Sequence, residues 1–392
     1  MKKEARIRLA PRKAGAAIGG HPWLFRTMIG KIDGDPVPGD AVPVFGGDDD
    51  RFVAHGILQP EGEIAVRLYS WERDRPIVPG FFTARVKEAI ALRRNLGGFL
   101  DREGACRLIF SEGDQLSGLI VDRFGEYLVV QISSPPLLSR WEEIGSALRA
   151  ALPVKGIFLK NPTEDRLLWG EISKAPVRFT ENRLTFELEI GSGQKTGFYL
   201  DQRENRSVVA GLVAGRKVLD LHCYTGGFAL ACAQAGAKEA VGVDSSKEAI
   251  QRANRHTEIN SLTNVRFVEQ DVFEFLKGSV PGAFDLVIVD PPKLIPTRSA
   301  KERGLRMYHR LNRDALSAVA PGGILVTCSC SGALGAEEWL SLLHSAARRS
   351  GRLLQVVEVR GASRDHPFSI HCPESRYLKC VMARVFGPVP VR

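Results

Sequence analysis

"KVLDLHCYTGGFAL", residues 217–230, decides the architecture of this 392-residue chain. A strand-like apolar run, "KVLDLHC" (217–223), is followed by paired glycines and then by an apolar helical segment. Gly226 and Gly227 let the backbone approach a ligand where that helix begins. Four runs of the same buried-strand texture follow: "EAVGVD" (239–244), "VRFVEQ" (265–270), "FDLVIVD" (284–290) and "GGILVTCS" (322–329). Helices fill the gaps, among them "SSKEAIQRANRHTEIN" (245–260), N-capped from the Ser245–Ser246 pair. This alternation predicts an α/β domain with a doubly wound, mostly parallel sheet. "LLQVVEVR" (353–360) and "YLKCVMARV" (377–385) have no long helix between them and are expected to close the sheet as an antiparallel pair.

Upstream the texture differs. Residues 1–70 read as short strands cut by Gly- and Asp-rich turns, a small β-barrel-like module. A helix is expected at about 80–97. Strands follow near 105–110, 118–122 and 126–132, with a hairpin turning at Phe124–Gly125. A helix at about 138–151 and a strand at 156–160 complete a strand-rich α+β region that runs to about 180, and "RLTFELEI" (183–190) alternates as a further strand. The chain is too long for one ordinary core. Apolar content of 44% and charged content of 25% are those of globular proteins. No stretch approaches the roughly 20 apolar residues that span a bilayer. The basic start "MKKEARIRLAPRK" lacks a signal-peptide core, so a cytoplasmic location and no membrane partner are expected. The seven cysteines (106, 223, 232, 328, 330, 372, 380) contain no C-x-x-C pair. Neither a disulfide framework nor a metal site is expected from them.

A net charge of +9 permits a polyanionic partner such as RNA without requiring one. Its distribution says more. In "TRSAKERGLRMYHRLNR" (297–313), Arg303, Arg306, Arg310 and Arg313 recur at helical spacing and share one face. Such a stripe is ordinarily a solvated helix; it becomes a phosphate-facing one if it borders a catalytic cleft. "RVKEAIALRR" (85–94) is a second candidate footprint.

In an open α/β sheet, ligands bind beyond the carboxyl ends of the strands. Asp220, Asp244, Asp271 and Asp290 stand at or just past the ends of four consecutive strands. Each alone reads as a loop or N-cap aspartate; together they outline a site for a ribose- and adenine-bearing cofactor. Without G-x-G-x-x-G there is no evident pyrophosphate cradle, which disfavours a dehydrogenase, and S-adenosylmethionine fits. The prolines of "DPPKL" (290–294) force a rigid, non-helical turn that holds Asp290 and the Pro291 carbonyl at the cleft.

"TGFYLDQRENR" (196–206), "VLDLHCYTGGFAL" (218–230), "VDSS" (243–246), "DPPKL" and "CSCS" (328–331) resemble the bacterial large-subunit rRNA 5-methylcytosine methyltransferases. "GGHPWLF" (19–25) with "PGD" (38–40), and "DHP…PESRYLK" (365–379), extend the resemblance over essentially the whole chain. It implies a PUA-like RNA-binding β-barrel over 1–72, a central α+β domain over 73–185 and a class I, Rossmann-like S-adenosylmethionine-dependent methyltransferase domain over 186–392. Phe198, Asp201, Gln202 and Arg203 would then help cover S-adenosylmethionine. Tyr224, Thr225 and Gly226 would line its methionine end, Asp244 and Ser245 its ribose, and Asp271 with Val272 its adenine, with Asp220, Asp290 and Pro291 completing the pocket. Pro292, Lys293, Arg303, Arg306 and Arg310 would face the RNA, expected to be large-subunit (23S) rRNA. His222 departs from the family pattern and reads as a packing variant rather than a base. The oligomeric state stays open, with a homodimer compatible.

Carbon 5 of cytosine is not nucleophilic. A thiolate adding to carbon 6 makes it enamine-like and able to take a methyl group, so the reaction needs a cysteine at the cleft. Cys328 lies inside the apolar run "ILVTC" and Cys330 at its carboxyl edge. Cys330 is therefore the candidate nucleophile, Asp290 the partner of the protonated ring nitrogen, and Cys328 core packing. Two rivals stand beside this reading. One is methylation of a ring nitrogen or exocyclic amine without a thiol; the other is a non-catalytic RNA-binding adaptor.

Overall fold

The computed structural model describes residues 5–161, 164–173, 175–190 and 197–387, which form two compact units. The first unit takes the chain up to Phe179, Leu188–Phe198 and Arg364–Ser375; the second takes Thr180–Glu187, Tyr199–Ser363 and the chain from Arg376 on.

Within the first unit, strands Arg6–Leu9, Trp23–Phe25, Ile29–Asp33, Ala41–Phe45, Phe52–Leu58 and Ile64–Ser70 form one six-stranded sheet around buried Ile7, Leu24, Val44 and Val66. A five-stranded sheet follows, built from Ala105–Phe110, Leu119–Phe124, Tyr127–Ile132, Gly156–Lys160 and Asp165–Gly170. Helices Phe81–Leu96 and Trp141–Ala151 share its core through Val86, Ile90, Ile144 and Leu148. Asp165–Gly170 had no signature in the sequence because it is an exposed edge strand with little apolar patterning. The expected hairpin closes at Phe124↔Tyr127 and turns through Gly125–Glu126, with Gly125 at a left-handed φ of 56°.

The basic stretch 85–94 needs correcting as an RNA footprint. Arg93 is fully buried and donates to both carboxylate oxygens of Asp114, at 2.5 and 2.8 Å. Arg85 is also buried and bonded to Glu88 and to the Tyr69 carbonyl. Bidentate guanidinium–carboxylate geometry makes such arginines internal ties rather than free cations. Lys87 and Arg94 remain exposed.

The second unit carries strands β1 (Lys217–Leu221), β2 (Glu239–Asp244), β3 (Val265–Glu269), β4 (Phe284–Val289), β5 (Val319–Ser329), β6 (Leu353–Arg360) and β7 (Lys379–Phe386). Between them lie helices α1 (Arg203–Ala210), α2 (Gly227–Gln234), α3 (Lys247–Ile259), α4 (Val272–Gly278), α5 (Lys301–Ala318) and α6 (Ala336–Arg349). The sheet order is β3-β2-β1-β4-β5-β7-β6. β1 to β5 pair in parallel, while β7 is antiparallel to both β5 and β6, the closing pair the sequence suggests. The central strands are buried on both faces, which is why they read as near-continuous apolar runs. β3 is only half-buried because it is a sheet edge. β1 stops at Leu221, two residues short of expectation, because His222 and Tyr224 take positive φ of 61° and 50°.

A buried ion pair anchors α1. Arg206 donates from Nε and Nη2 to the two carboxylate oxygens of Glu181 at 2.6 and 2.8 Å, and from Nη2 to the Tyr199 carbonyl at 2.9 Å.

Candidate active site

Register brings the candidate residues to one sheet edge. Leu221 at the end of β1 is level with Val243 of β2 and Val289 of β4, and Val289 is level with Thr327 of β5. The segments that leave this edge are His222–Gly226, Asp244–Ser246, Asp290–Leu294 and Cys330, all in the second unit.

The loop after β1 is shaped for close approach. Gly226 has φ of 85°, and a Cβ there would lie 2.5 Å from the Phe267 ring. Asp244 ties the loop down: Oδ2 accepts from the Tyr224 N–H and Oδ1 from the Ser246 N–H, both at 2.9 Å. Each oxygen keeps a second lone pair, so the carboxylate can still accept from a ribose diol. Ser246, not Ser245, caps α3, and Ser245 is exposed. Asp220 is buried; Oδ2 accepts from the Ala229 N–H at 3.0 Å, while Oδ1 is buried without a hydrogen-bond partner among the described residues. Burial, then the charges of Asp290 and Asp244, pushes its carboxyl well above the usual range. An unsatisfied acceptor in a glycine-lined cradle suits a ligand carrying donors and positive charge, as the methionine end of S-adenosylmethionine does. Asp271 engages Oδ1 as the N-cap of α4, accepting from the Phe273 and Glu274 N–H groups at 2.9 and 3.1 Å. Val272 is buried in the sheet core, and Thr225 is buried with its carbonyl against His256 Nδ1 at 3.1 Å. His222 sits in the loop with its imidazole lowered by burial, so it is neutral at pH 7.

Asp201 and Gln202 form a buried turn. Asp201 Oδ2 accepts from the Tyr377 hydroxyl at 2.5 Å, and Gln202 Oε1 accepts from Asn205 at 2.6 Å. Arg203 opens α1, its carbonyl accepting from Asn182 at 3.2 Å. Phe198 belongs to the first unit, where its ring meets Phe179 edge-on at 5.1 Å. Thr196, which begins the motif, lies outside the described residues.

The β4 and β5 ends meet through Ser331. Its Oγ accepts from the Ile295 N–H at 3.2 Å and bonds the Tyr308 hydroxyl at 2.9 Å, joining the "DPPKL" turn to the turn that carries Cys330. Ser329 and Ser331 are fully buried, so the backbone on both sides of Cys330 is fixed. Pro291 is buried; Pro292 and Lys293 are exposed. Of the seven cysteines, Cys330 is the one that is not buried. Cys328 faces Cys380 in the core, and the Cys380 hydrogen bond, with burial, pushes its thiol far up. Tyr199 marks where the groups converge. Its ring is edge-on to Tyr224 at 5.3 Å, and burial, then Tyr224, Asp290, Asp201 and Cys330, hold its phenol above the usual value.

α5 packs directly on the "DPPKL" turn: a Cβ at Gly304 would lie 2.6 Å from the Leu294 carbonyl oxygen. The exposed arginines of α5 therefore do border this edge. They are not equivalent. Arg306 is 3.8 Å from Glu302, Arg310 lies 4.2 Å over the Phe273 ring and 3.7 Å from Asp314, and Arg313 pairs with Asp314 at 2.7 Å. Arg303 is exposed and, among the described residues, takes part in none of the α5 ion pairs.

Sequence reasoning did not single out Tyr199, Tyr377 or Lys379. Lys379 carries a legible signal, a lone charge in the apolar run "YLKCVMA". One potential metal cluster, His21, Cys372 and Glu374, occurs among the described residues of the first unit, with ligand atoms within 4.8 Å. His21 Nδ1 accepts from the Trp23 N–H at 3.2 Å, so Nε2 carries the proton and donates to Glu374 Oε2 at 3.3 Å. The Cys372 thiol, pushed up to about 12 chiefly by burial, donates to the same oxygen at 3.6 Å. The cluster is a hydrogen-bonded knot in which His21 and Cys372 both donate to the Glu374 carboxylate.

The chain is similar to known proteins. Residues 167–369 match the S-adenosylmethionine-dependent methyltransferase family, and residues 7–71 match the PUA-like domain. "Ribosomal RNA large subunit methyltransferase I" of Aeromonas hydrophila is 33% identical over 397 residues, covering 97% of this chain and 99% of that protein. Its counterpart in Shewanella denitrificans is 34% identical over 398 residues with the same coverage. A solved structure described as a SAM-dependent methyltransferase from Streptococcus mutans superposes with a TM-score of 0.82 at 20% identity, over 97% of this chain and 99% of that one. Another, described as a methyltransferase complexed with SAH, gives 0.84 at 21% with the same coverage. These two establish the fold, a PUA-like domain joined to a methyltransferase sheet.

Proposed function

This chain belongs to the PUA-domain-containing, S-adenosylmethionine-dependent large-subunit rRNA methyltransferase family, and on that premise we propose that it forms 5-methylcytosine through a covalent adduct at Cys330. One observation carries the reading: Cys330 alone among the cysteines is not buried, at the same sheet edge as Asp290. Asp220, Asp244, Tyr224 and Gly226 would hold S-adenosylmethionine, which supplies an electrophilic methyl group when bound.

In the proposed cycle the Cys330 thiolate adds to carbon 6 of an extruded cytosine, and the electron pair of the 5,6 double bond moves to carbon 5. Asp290 hydrogen-bonds the protonated N3 and stabilises the adduct. After carbon 5 has taken the methyl group, a base removes its proton; the electron pair re-forms the double bond and expels the thiolate. Lys293 and the α5 arginines, Arg303 foremost, would hold flanking phosphates, with Pro292 as an apolar contact to the RNA. A homodimer belongs to the same proposal. Edge strand β6 exposes Leu353, Val356, Val357 and Val359, apolar surface at the end of the sheet that a second copy would cover.

Cys330→Ala and Cys328→Ala, assayed for methyl transfer to unmodified large-subunit rRNA with nucleoside analysis of the product, test the reading. Cys330→Ala is expected to abolish transfer, Cys328→Ala to retain it, and the product to be 5-methylcytosine. Full transfer by Cys330→Ala, or a nitrogen-methylated product, overturns it.

A further inference from the structure

Lys379 is 5% exposed, and nothing in the cycle above uses it. A buried ammonium is costly unless it is bonded and paired. Its Nζ donates to the Ser331 carbonyl at 2.6 Å and to the Tyr377 carbonyl at 2.8 Å. Neither acceptor carries a full charge. Lys379 nonetheless stands directly before the apolar run "CVMA" (380–383) of β7.

The placement of that lysine is informative. In the β5–β7 ladder, Lys379 is the cross-strand partner of Ser329, the residue before Cys330. Its ammonium binds the carbonyl of Ser331, the residue after Cys330. Lys379 thus brackets the cysteine from both sides of its turn. Tyr377, whose carbonyl is the second acceptor, gives its hydroxyl to Asp201.

Cys330 has both negative and positive groups nearby. Among the described residues, its electrostatic neighbourhood includes the phenols of Tyr199 and Tyr308, the carboxylates of Asp290 and Asp201, and the cations Lys379 and Arg376. The two carboxylates disfavour another negative charge. A reactive thiolate at neutral pH needs a neighbouring cation.

We propose that Lys379 is the positioning and charge-balancing partner of Cys330, its ammonium holding the turn through the Ser331 carbonyl and stabilising the cysteine as a thiolate ready to add to the base. The inference rests on Cys330 being the nucleophile, and it assigns the residue that activates it. The electrostatics point the same way. Burial lowers the Lys379 ammonium to about 8, and the largest influence opposing that fall is the charge of Cys330. Such an attraction is mutual: what holds the proton on the lysine helps to remove it from the thiol.

The test reads the thiol directly. Cys330 is the one cysteine that is not buried, so iodoacetamide labelling followed by peptide mass spectrometry reports its thiolate fraction across pH. In Lys379→Met the labelling midpoint is expected to rise by about one pH unit, roughly a tenfold slower rate near neutrality. Lys379→Arg, which keeps the charge, is expected to restore most of the rate. An unchanged midpoint in folded Lys379→Met overturns the proposal. A reciprocal measurement does not depend on that variant folding. In protein carrying 13Cε-labelled lysine, Cys330→Ala should lower the Lys379 titration midpoint, and an unmoved midpoint overturns the pairing. If Cys330→Ala still transfers methyl groups while the two titrations stay linked, the nucleophile reading falls and the pair stands. If it is inactive without linkage, the pair falls and the nucleophile stands.

Discussion

Gly304→Ala separates two opposed effects of known size. Gly304 lies in α5, where alanine in place of glycine favours the helix by up to about 1 kcal/mol. Against that, the new Cβ would sit 2.4 Å from Ile295 Cγ1 and 2.6 Å from the Leu294 carbonyl oxygen. The first neighbour is a side chain and can turn away. The second is backbone, in a turn whose next residue, Ile295, is held by its N–H to Ser331 Oγ. Overpacking against an unyielding neighbour costs about 1–3 kcal/mol. The clash therefore at least cancels the gain, leaving the variant up to about 2 kcal/mol less stable. Relief by shifting the turn would carry Asp290 with it. A misplacement of about 1 Å costs on the order of 100-fold in rate. Urea unfolding and single-turnover methyl transfer to rRNA read both effects. A Gly304→Ala protein that is more stable than wild type and fully active would refute the claim that α5 positions the "DPPKL" turn through this contact.

Glu181→Ala leaves the buried Arg206 guanidinium without its carboxylate, and urea unfolding should register a loss of about 3–5 kcal/mol. For RNA binding, Arg303→Ala should weaken affinity across sequences and reduce the slope of log K against log salt by about one. Arg310→Ala should do less, because that guanidinium is already engaged with Phe273 and Asp314. Lys379 loses its proton near pH 8 in the folded chain, against an ordinary 10.5, so across that window the unfolded chain binds more protons. Wild-type stability measured against Lys379→Met should therefore rise with pH between about 8 and 10.5, by up to about 3 kcal/mol. A flat difference would contradict the burial of this ammonium.

Local pattern carried much of this protein. The strands of the second unit are legible because both their faces are covered, and continuous apolar runs between helical segments admit little else. The aspartates at or just past the ends of β1, β2, β3 and β4 are legible for the same reason: strand ends are visible, and ligands gather beyond them. The choice of Cys330 over Cys328 followed from depth along one strand. Matters settled by contacts distant in sequence were not legible. Arg93 reads as part of a basic helix until Asp114 meets it. Phe198 lies two residues before Leu200, yet the two belong to different units. Lys379 reaches Ser331 because β7 inserts antiparallel between β5 and β6, a pairing that no local period encodes. Periodicity and turn chemistry thus determined which elements form and where their ends lie. Tertiary structure alone decided which charges are buried and what each of them faces, because a charge's energy depends on its surroundings rather than on its neighbours in the chain.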